Sequence, residues 1–466
     1  MTLPGLAGSR IAAVRLNPPP ALETSNIPEF HPRPTHPAGF KARRGLNWGI
    51  LGLMYTSYYL CRYNLPLANK AISAEFGYTK SQISDIISLA FIAYACGQLI
   101  NGLLVDRLGG KTGMLIGAAG TILCNTLFGF ASFWGLLWLF TLIRAIDGYM
   151  QAFGAPSFIK INAAWFSQTE RGTFAGVFGF MINLGRLGIN YFGAAILGGI
   201  VFLGIWEIPP QHWRWVFWIP AMIATLMAIL LAVFVKNTPE EAGFVGVMEG
   251  EADHADTNSK ADMGMVFRQV FFNPVVWVIA AAYACTGVVR QSVDQWFPRY
   301  LAEVRHVDYK SAAFQVTGAL IPFVASAGSL LSGFISDRFF QGRRAPVAMG
   351  IYILEVLVIL CAAQARSTTA IVIAFVAISF TANSTHSLLG PAAAMDIGGR
   401  KAAAFASGVI DSFQYFGAGI GLKLLGYLLD TSWDYYFYFM APFGVVGALF
   451  MWKIAHRRSL KKGDSH

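Results

Sequence analysis

Two arginines, Arg62 and Arg290, each lie inside an apolar stretch long enough to cross a bilayer, and each holds an equivalent place in one half of the 466-residue chain. A guanidinium costs about 2.5 to 3.5 kcal/mol to insert at the middle of a membrane helix and does not shed its proton there. Two such charges imply a buried anion, and the planar fork of donors suits bidentate contact with phosphate or carboxylate. Tyr55 and Tyr59 precede Arg62 by seven and three residues, so one helical face presents two phenols and the guanidinium to the same space. The competing reading gives each arginine an intramembrane acid and only a structural duty. Asp294 follows Arg290 by four residues and Asp411 lies in a later span, whereas no acid is near Arg62 in sequence. Arg144 and Asp147, three residues apart, read as a local structural pair.

The elements that must position these residues follow from composition. Hydrophobic residues make up 55% of the chain, charged residues 13%, and the mean hydropathy is +0.51, which excludes a water-soluble domain of this length. Apolar runs of about 20 residues predict spans near 46–67, 83–105, 112–131, 133–156, 172–198 and 214–235, then near 275–297, 312–335, 345–364, 368–392, 402–428 and 434–454. The expected fold is thus an all-α membrane protein of twelve transmembrane helices in two sets of six. The sets occupy residues 46–235 and 271–456, between a tail over 1–45, a linker over 236–270 and a tail over 457–466.

The N-terminal tail has a run of prolines from Pro18 to Pro37 and no hydrophobic segment, so it reads as flexible rather than as a secretory signal. The linker carries Glu249, Glu251, Asp253 and Asp256 with too few apolar residues to bury a core. Lys and Arg cluster on one side of the predicted topology, at Lys41, Arg43 and Arg44, at Arg107 and Lys111, at Arg338, Arg343 and Arg344, and at the C-terminal end. Both termini are therefore expected in the cytoplasm, with the protein in the inner (plasma) membrane. The net charge of +10 is what such a topology produces and calls for no nucleic acid. Cys61, Cys96, Cys124, Cys285 and Cys361 fall in spans without a CxxC pair, so neither a metal site nor a disulfide framework is implied.

An internal repeat ties the two halves together. Gly102 to Arg107 and Gly333 to Arg338 both read G-x-x-x-D-R and are followed by glycine and basic residues. Asp106 and Asp337 are 231 residues apart, and Arg62 and Arg290 are 228 apart, as a parallel duplication of six spans requires. The motif combines a turn with an acid that can accept hydrogen bonds at a helix end and with cations for an anionic leaflet. Asp106, Arg107, Asp337 and Arg338 are accordingly expected to latch neighbouring helices in one conformation.

With these features, residues 41–456 resemble the major facilitator superfamily, whose fold packs two six-helix bundles around a midplane site. Finer features are similar to the organophosphate:phosphate antiporters, the family of the glycerol-3-phosphate and hexose-phosphate transporters. They are Tyr55 to Asn64, Ala93 and Tyr94, Gly148 to Gln151 with Gly154 and Pro156, Trp165 to Gly172, Trp296 to Leu301 after Arg290, and Thr238, Pro239 and Gly243. The resemblance implies that Arg62 and Arg290 bind a phosphoryl group, that Tyr55, Tyr59 and Tyr94 assist, that Gln151 and Asn183 match further site positions, and that inorganic phosphate returns in exchange.

The chain departs from that family in span 5. Phe178, Gly179, Ile182 and Arg186 stand where the family has Trp, Asn, His and Gly, while Asn183 and Gly185 remain. Gln98 and Tyr63 stand where lysines are expected. Arg186 either faces the cavity, where three arginines favour a substrate with more than one anionic group, or partners Asp147 or Asp411. His386 reads as a packing residue, Lys423 as one that snorkels to the interface, and Gly417, Gly419 and Gly421 as positions of close helix approach.

No HExxH, P-loop or nucleophile triad accompanies these features. The expected activity is therefore not enzymatic and uses no cofactor. It is secondary active transport of an organic phosphate or similar anion, probed against three alternatives: a proton-coupled organic-anion symporter, a transport-deficient sensor of sugar phosphate, and an exporter. The expected partners are the small anion, inorganic phosphate and the lipid bilayer, with the chain acting as a monomer.

Overall fold

The computed structural model describes residues 37–166, 171–202, 206–244, 268, 270–390 and 400–463. The proline-rich tail to residue 36, Ser167 to Glu170 and the acidic run of the linker lie outside the described residues.

Twelve spans form, two of them from paired half-helices. The first half of the chain gives α1 (Phe40–Arg62), α2 (Asn64–Phe76), α3 (Lys80–Leu108), α4 (Gly110–Ala131), α5 (Leu137–Gln151), α6 (Gly154–Trp165), α7 (Arg171–Leu197) and α8 (Trp215–Phe234). The second gives α9 (Pro274–Val304), α10 (Ala312–Phe339), α11 (Arg344–Gln364), α12 (Thr368–Leu389), α13 (Arg400–Thr431) and α14 (Tyr435–Gly463). Nine helices are long and apolar enough to cross a membrane among the described residues. The other three spans are the two split ones, α1 with α2 and α5 with α6, and α13, which carries Asp411, Lys423 and Asp430.

The splits, which apolarity alone does not predict, have a physical cause. Pro66 sits in the first turn of α2 and lacks the N–H that would bond the carbonyl of Arg62. Arg144 takes over this duty, donating from Nη2 to the Arg62 carbonyl at 2.6 Å and from Nη1 to the Cys61 carbonyl at 3.1 Å. Pro156 stands at the same place in the first turn of α6, after the break at Ala152 and Phe153. Such breaks are tolerated at membrane depth only where protein groups satisfy the backbone.

Elsewhere the elements begin as their sequences prescribe. Thr79 and Gln82 form a reciprocal capping box at the start of α3. Asn273 caps α9 with Pro274 in its first turn, and Ser311 and Ser367 cap α10 and α12. One addition to the all-helical expectation is a two-stranded hairpin, β1 (Ile200–Phe202) paired antiparallel with β2 (Trp206–Ile208), between α7 and α8. The start of the linker folds back on the first bundle. The Lys236 amide donates to Asn47 Oδ1 at 2.7 Å, and the Lys236 carbonyl accepts from Trp165 Nε1 at 3.1 Å.

The bundles meet where α3 packs on α13, α2 on α9 and α7 on α10. Glycines let the first of these contacts close. A Cβ on Gly419 would lie 2.7 Å from Ile92 of α3, while one on Gly417 would lie 2.5 Å from the Ala284 carbonyl of α9. The end of the molecule bearing Thr79 and Val304 is bolted across the bundles. Arg299 of α9 donates to Asn69 and Ser73 of α2 at 2.6 and 2.7 Å, and Lys80 of α3 pairs with Glu303 of α9 at 3.9 Å. Asp430 of α13 accepts the Lys80 and Ser81 amides at 2.6 and 3.2 Å, so a carboxylate from one bundle caps a helix of the other. Lys423 joins this set. It does not snorkel away but pairs with Asp85 of α3 at 3.1 Å, because that acid lies within reach across the interface.

Candidate anion-binding site

Arg62 ends α1 at its break, and Gln151 ends α5 at the other. The carboxyl ends of two half-helices thus supply Arg62 and the Gln151 side chain that meets it. Arg62 Nε donates to Gln151 Oε1 at 2.8 Å, and Gln151 Nε2 donates to both oxygens of Asp147 at 3.0 Å. Asp147 also receives Arg144 Nη1 at 2.7 Å and Asn125 Nδ2 at 3.4 Å. The predicted Arg144 and Asp147 pair is therefore present, and it orients Arg62 through Gln151.

Aromatic rings wall the site. The Arg62 guanidinium lies 4.8 Å from the ring centre of Tyr59 and 4.4 Å from that of Tyr94, distances at which an aromatic ring attracts a cation. Tyr55 packs on Tyr59 with centroids 5.5 Å apart, and Tyr94 packs on Tyr415 of the second bundle at 4.5 Å. Gln98, where a lysine was expected, donates to the Tyr94 hydroxyl at 2.8 Å. A cavity bounded by Arg62, Phe91, Tyr94, Gln151, Gln295 and Tyr415 draws its lining from both bundles.

Arg290 enters from α9. It is 7% exposed and Arg62 is 8% exposed, so neither charge is dissipated in solvent. Tyr59 and Tyr415 stand within electrostatic reach of both arginines, and Asp411 also lies near both. Arg62 Nη2 and Arg290 Nε are buried with no hydrogen-bond partner among the described residues. A buried donor without an acceptor costs about 1 to 3 kcal/mol, more when charged.

The spacing of Asp294 suggested Arg290 as its partner. Instead Asp294 pairs with Arg186 of α7, across the bundle interface, and also accepts from the Tyr63 hydroxyl at 3.4 Å. Arg186 does lie at the interface, but its charge is matched, and the partner is neither Asp147 nor Asp411. Two bundles contribute to this pair, and no regularity within either span could announce it. Asn183, one turn before Arg186, donates to Ser326 of α10 and to the Gly179 carbonyl, so it too bridges the bundles. His386 stacks on Tyr283 with centroids 5.4 Å apart and shares a hydrogen bond with its hydroxyl, as a packing residue does.

The loop motifs lie far from this cluster. Lys160 of α6 donates to the Val105 and Asp106 carbonyls at 3.1 and 2.8 Å and pairs with the Asp106 carboxylate at 3.4 Å, closing the end of α3 within one bundle. Arg107 is exposed beside it, and Asp337 and Arg338 are exposed at the matching end of α10.

Two helical bundles joined at one end, with a charged cavity shared between them at mid-span, define a polytopic membrane carrier. The chain belongs to the Major Facilitator Superfamily, whose family model matches residues 51–422, with a second match over 325–465. It is similar to the glycerol-3-phosphate transporter of Bacillus subtilis (strain 168), 29% identical over 82% of this chain and 85% of the relative. It is also similar to the membrane sensor protein UhpC of Escherichia coli (strain K12), 26% identical over 86% of this chain and 89% of the relative. The fold matches the crystal structure of a bacterial homologue of the human lysosomal transporter Spinster in an inward-facing, unoccupied conformation. The TM-score is 0.70 at 18% identity, over 90% of this chain and 98% of that one.

Proposed function

We propose that this carrier exchanges an organic phosphate for inorganic phosphate by alternating access around Arg62 and Arg290. The observation that carries the reading is the pair of buried guanidinium donors without acceptors, Arg62 Nη2 and Arg290 Nε, at the bundle interface. A phosphoryl oxygen supplies an acceptor to each, and the forked geometry suits it. Tyr59 and Tyr94 lie against the Arg62 guanidinium, and its Nη2 is left for the anion. Tyr55, Gln151 and Asn183 fix the surroundings, and Arg186 orders the far wall.

Without an anion, the surplus positive charge disfavours closing the site into a low-dielectric interior. With one bound, the charge is matched and the bundles can close. A carrier that reorients only when loaded performs exchange. The similarity to transporters whose names specify glycerol-3-phosphate and hexose phosphate supports phosphate as the common headgroup. In this reading the protein lies in the inner membrane as a monomer with both termini in the cytoplasm. The bolted end of the bundles then faces outward, and Asp106, Arg107, Asp337 and Arg338 belong to the latch that closes the opposite face.

Counterflow from proteoliposomes loaded with labelled phosphate tests the proposal. External glycerol 3-phosphate, hexose 6-phosphate or inorganic phosphate should drive label out. Absence of efflux with all of them would sink exchange. Binding of a phosphate ester with negligible flux would move the chain to the second reading, a sensor, which the similarity to a membrane sensor protein favours.

A further inference from the structure

At the centre of the molecule Arg144 is paired with Asp147, and Arg62, Arg290 and Arg186 stand against Asp294 and Asp411. Arg186 and Asp294 are 4% and 3% exposed and face each other across the bundle interface. The remaining Asp294 oxygen accepts from the Tyr63 hydroxyl, and the Arg186 guanidinium lies 5.3 Å from the centre of the same ring. Tyr63 thereby holds both partners in register. Arg186 adds no spare charge to the cavity. The donors that lack acceptors belong to Arg62 and Arg290 alone among these arginines.

Three cations against two acids give these side chains a net charge of +1. One phosphoryl group takes up that surplus. A second anionic group on the same substrate meets no uncommitted cation. The buried Asp294 carboxylate, 3% exposed at the bundle interface, adds negative charge that disfavours a further carboxylate nearby.

We propose that the Arg186 and Asp294 pair makes this site selective for phosphate monoesters whose organic part is uncharged, and that it excludes esters bearing a carboxylate. The inference rests on the phosphate-exchange reading above and adds the charge class of the substrate. Arg186 is a positioning and selectivity residue here, acting on the substrate through the acid it occupies. Discrimination of this kind works by repulsion built against the wrong ligand rather than by a new contact to the right one.

The test uses the full chain in proteoliposomes loaded with labelled phosphate and two esters of equal carbon number. These are glycerol 3-phosphate and 3-phosphoglycerate, which differ by a hydroxymethyl group against a carboxylate. Glycerol 3-phosphate should release label with an efficiency about tenfold or more above that of 3-phosphoglycerate. Asp294→Asn leaves Arg186 without its partner and should shift this ratio about tenfold toward the carboxylate ester. Joint exchange of the partners, Arg186→Asp with Asp294→Arg, should restore the original preference. Because the ratio is taken within each variant, a lower overall rate does not obscure it. Equal efficiencies in the parent chain would overturn the inference, as would an unchanged ratio in an Asp294→Asn variant that still exchanges phosphate. Should that variant fail to fold, the parent ratio decides. Loss of efflux with every phosphate would overturn the exchange reading and this inference together, whereas efflux without discrimination overturns the inference alone.

Discussion

Replacing Arg62 by lysine keeps the positive charge and removes the geometry, which makes it the sharpest test of how the site works. The substitution removes the Nε bond to Gln151 Oε1 at 2.8 Å, and a hydrogen bond from a charged donor contributes about 1.5 to 3 kcal/mol. It also exchanges a planar cation, 4.8 and 4.4 Å from the Tyr59 and Tyr94 ring centres, for a point charge, at about 0.5 to 1 kcal/mol. Those contacts hold the side chain in the empty and the loaded site alike; affinity falls because lysine presents a point charge where the fork presents two donors, and one charge-assisted hydrogen bond of about 1.5 to 3 kcal/mol corresponds to a loss of roughly 10-fold to 150-fold in phosphate affinity at 1.4 kcal/mol per tenfold. The assay is binding of labelled phosphate to purified protein, followed by counterflow. Thermal unfolding of the same samples should shift by no more than a few degrees, since Arg144 still holds the Arg62 carbonyl through the backbone. Affinity within threefold of the parent would refute the claim that the fork of Arg62 grips the anion.

Three further outcomes follow from neighbouring contacts. Gln151→Glu places a carboxylate against Arg62 Nε and beside Asp147, and should weaken phosphate binding at least about tenfold while leaving the protein folded; equilibrium binding checks this. Arg144→Met strips Asp147 of its cation and leaves two carbonyls at the α1 break without a donor, a loss of about 3 to 5 kcal/mol that should appear as a large fall in unfolding temperature and in yield. Gly287→Ala would set a Cβ 2.1 Å from the Gln414 carbonyl, forcing α9 and α13 apart. Thermal stability should drop more for this change than for Gly350→Ala, whose added Cβ meets nothing within 4 Å.

The helical architecture was legible because apolar runs and a repeated loop motif are local signals, and so was the unusual cost of Arg62 and Arg290. Arg144 with Asp147 was legible for the same reason, three residues being one turn of a helix. What stayed hidden lies between elements. Asp294 stands one turn from Arg290, yet its partner comes from α7, 108 residues earlier, because the bundle interface brings a second guanidinium nearer to it. Lys423 has the chemistry of a snorkelling residue until Asp85 of α3 is placed beside it. The breaks at Tyr63 and after Gln151 leave little trace in hydropathy, since Pro66 and Pro156 sit in the first turns of the second half-helices, where proline is compatible with a helix.

The break at Tyr63 also makes the first span a lever. One arm, α2, is gripped through Asn69 and Ser73 by Arg299 of the opposite bundle, and the other, α1, carries Arg62 at its tip. At the break Arg144, a long side chain reaching two carbonyls, stands in for the missing backbone bond. Under the exchange reading proposed above, parting of the bolted end would pull on α2 and deliver that pull at Arg62. Seal and grip are thereby joined by a single turn of chain, with no messenger needed between them.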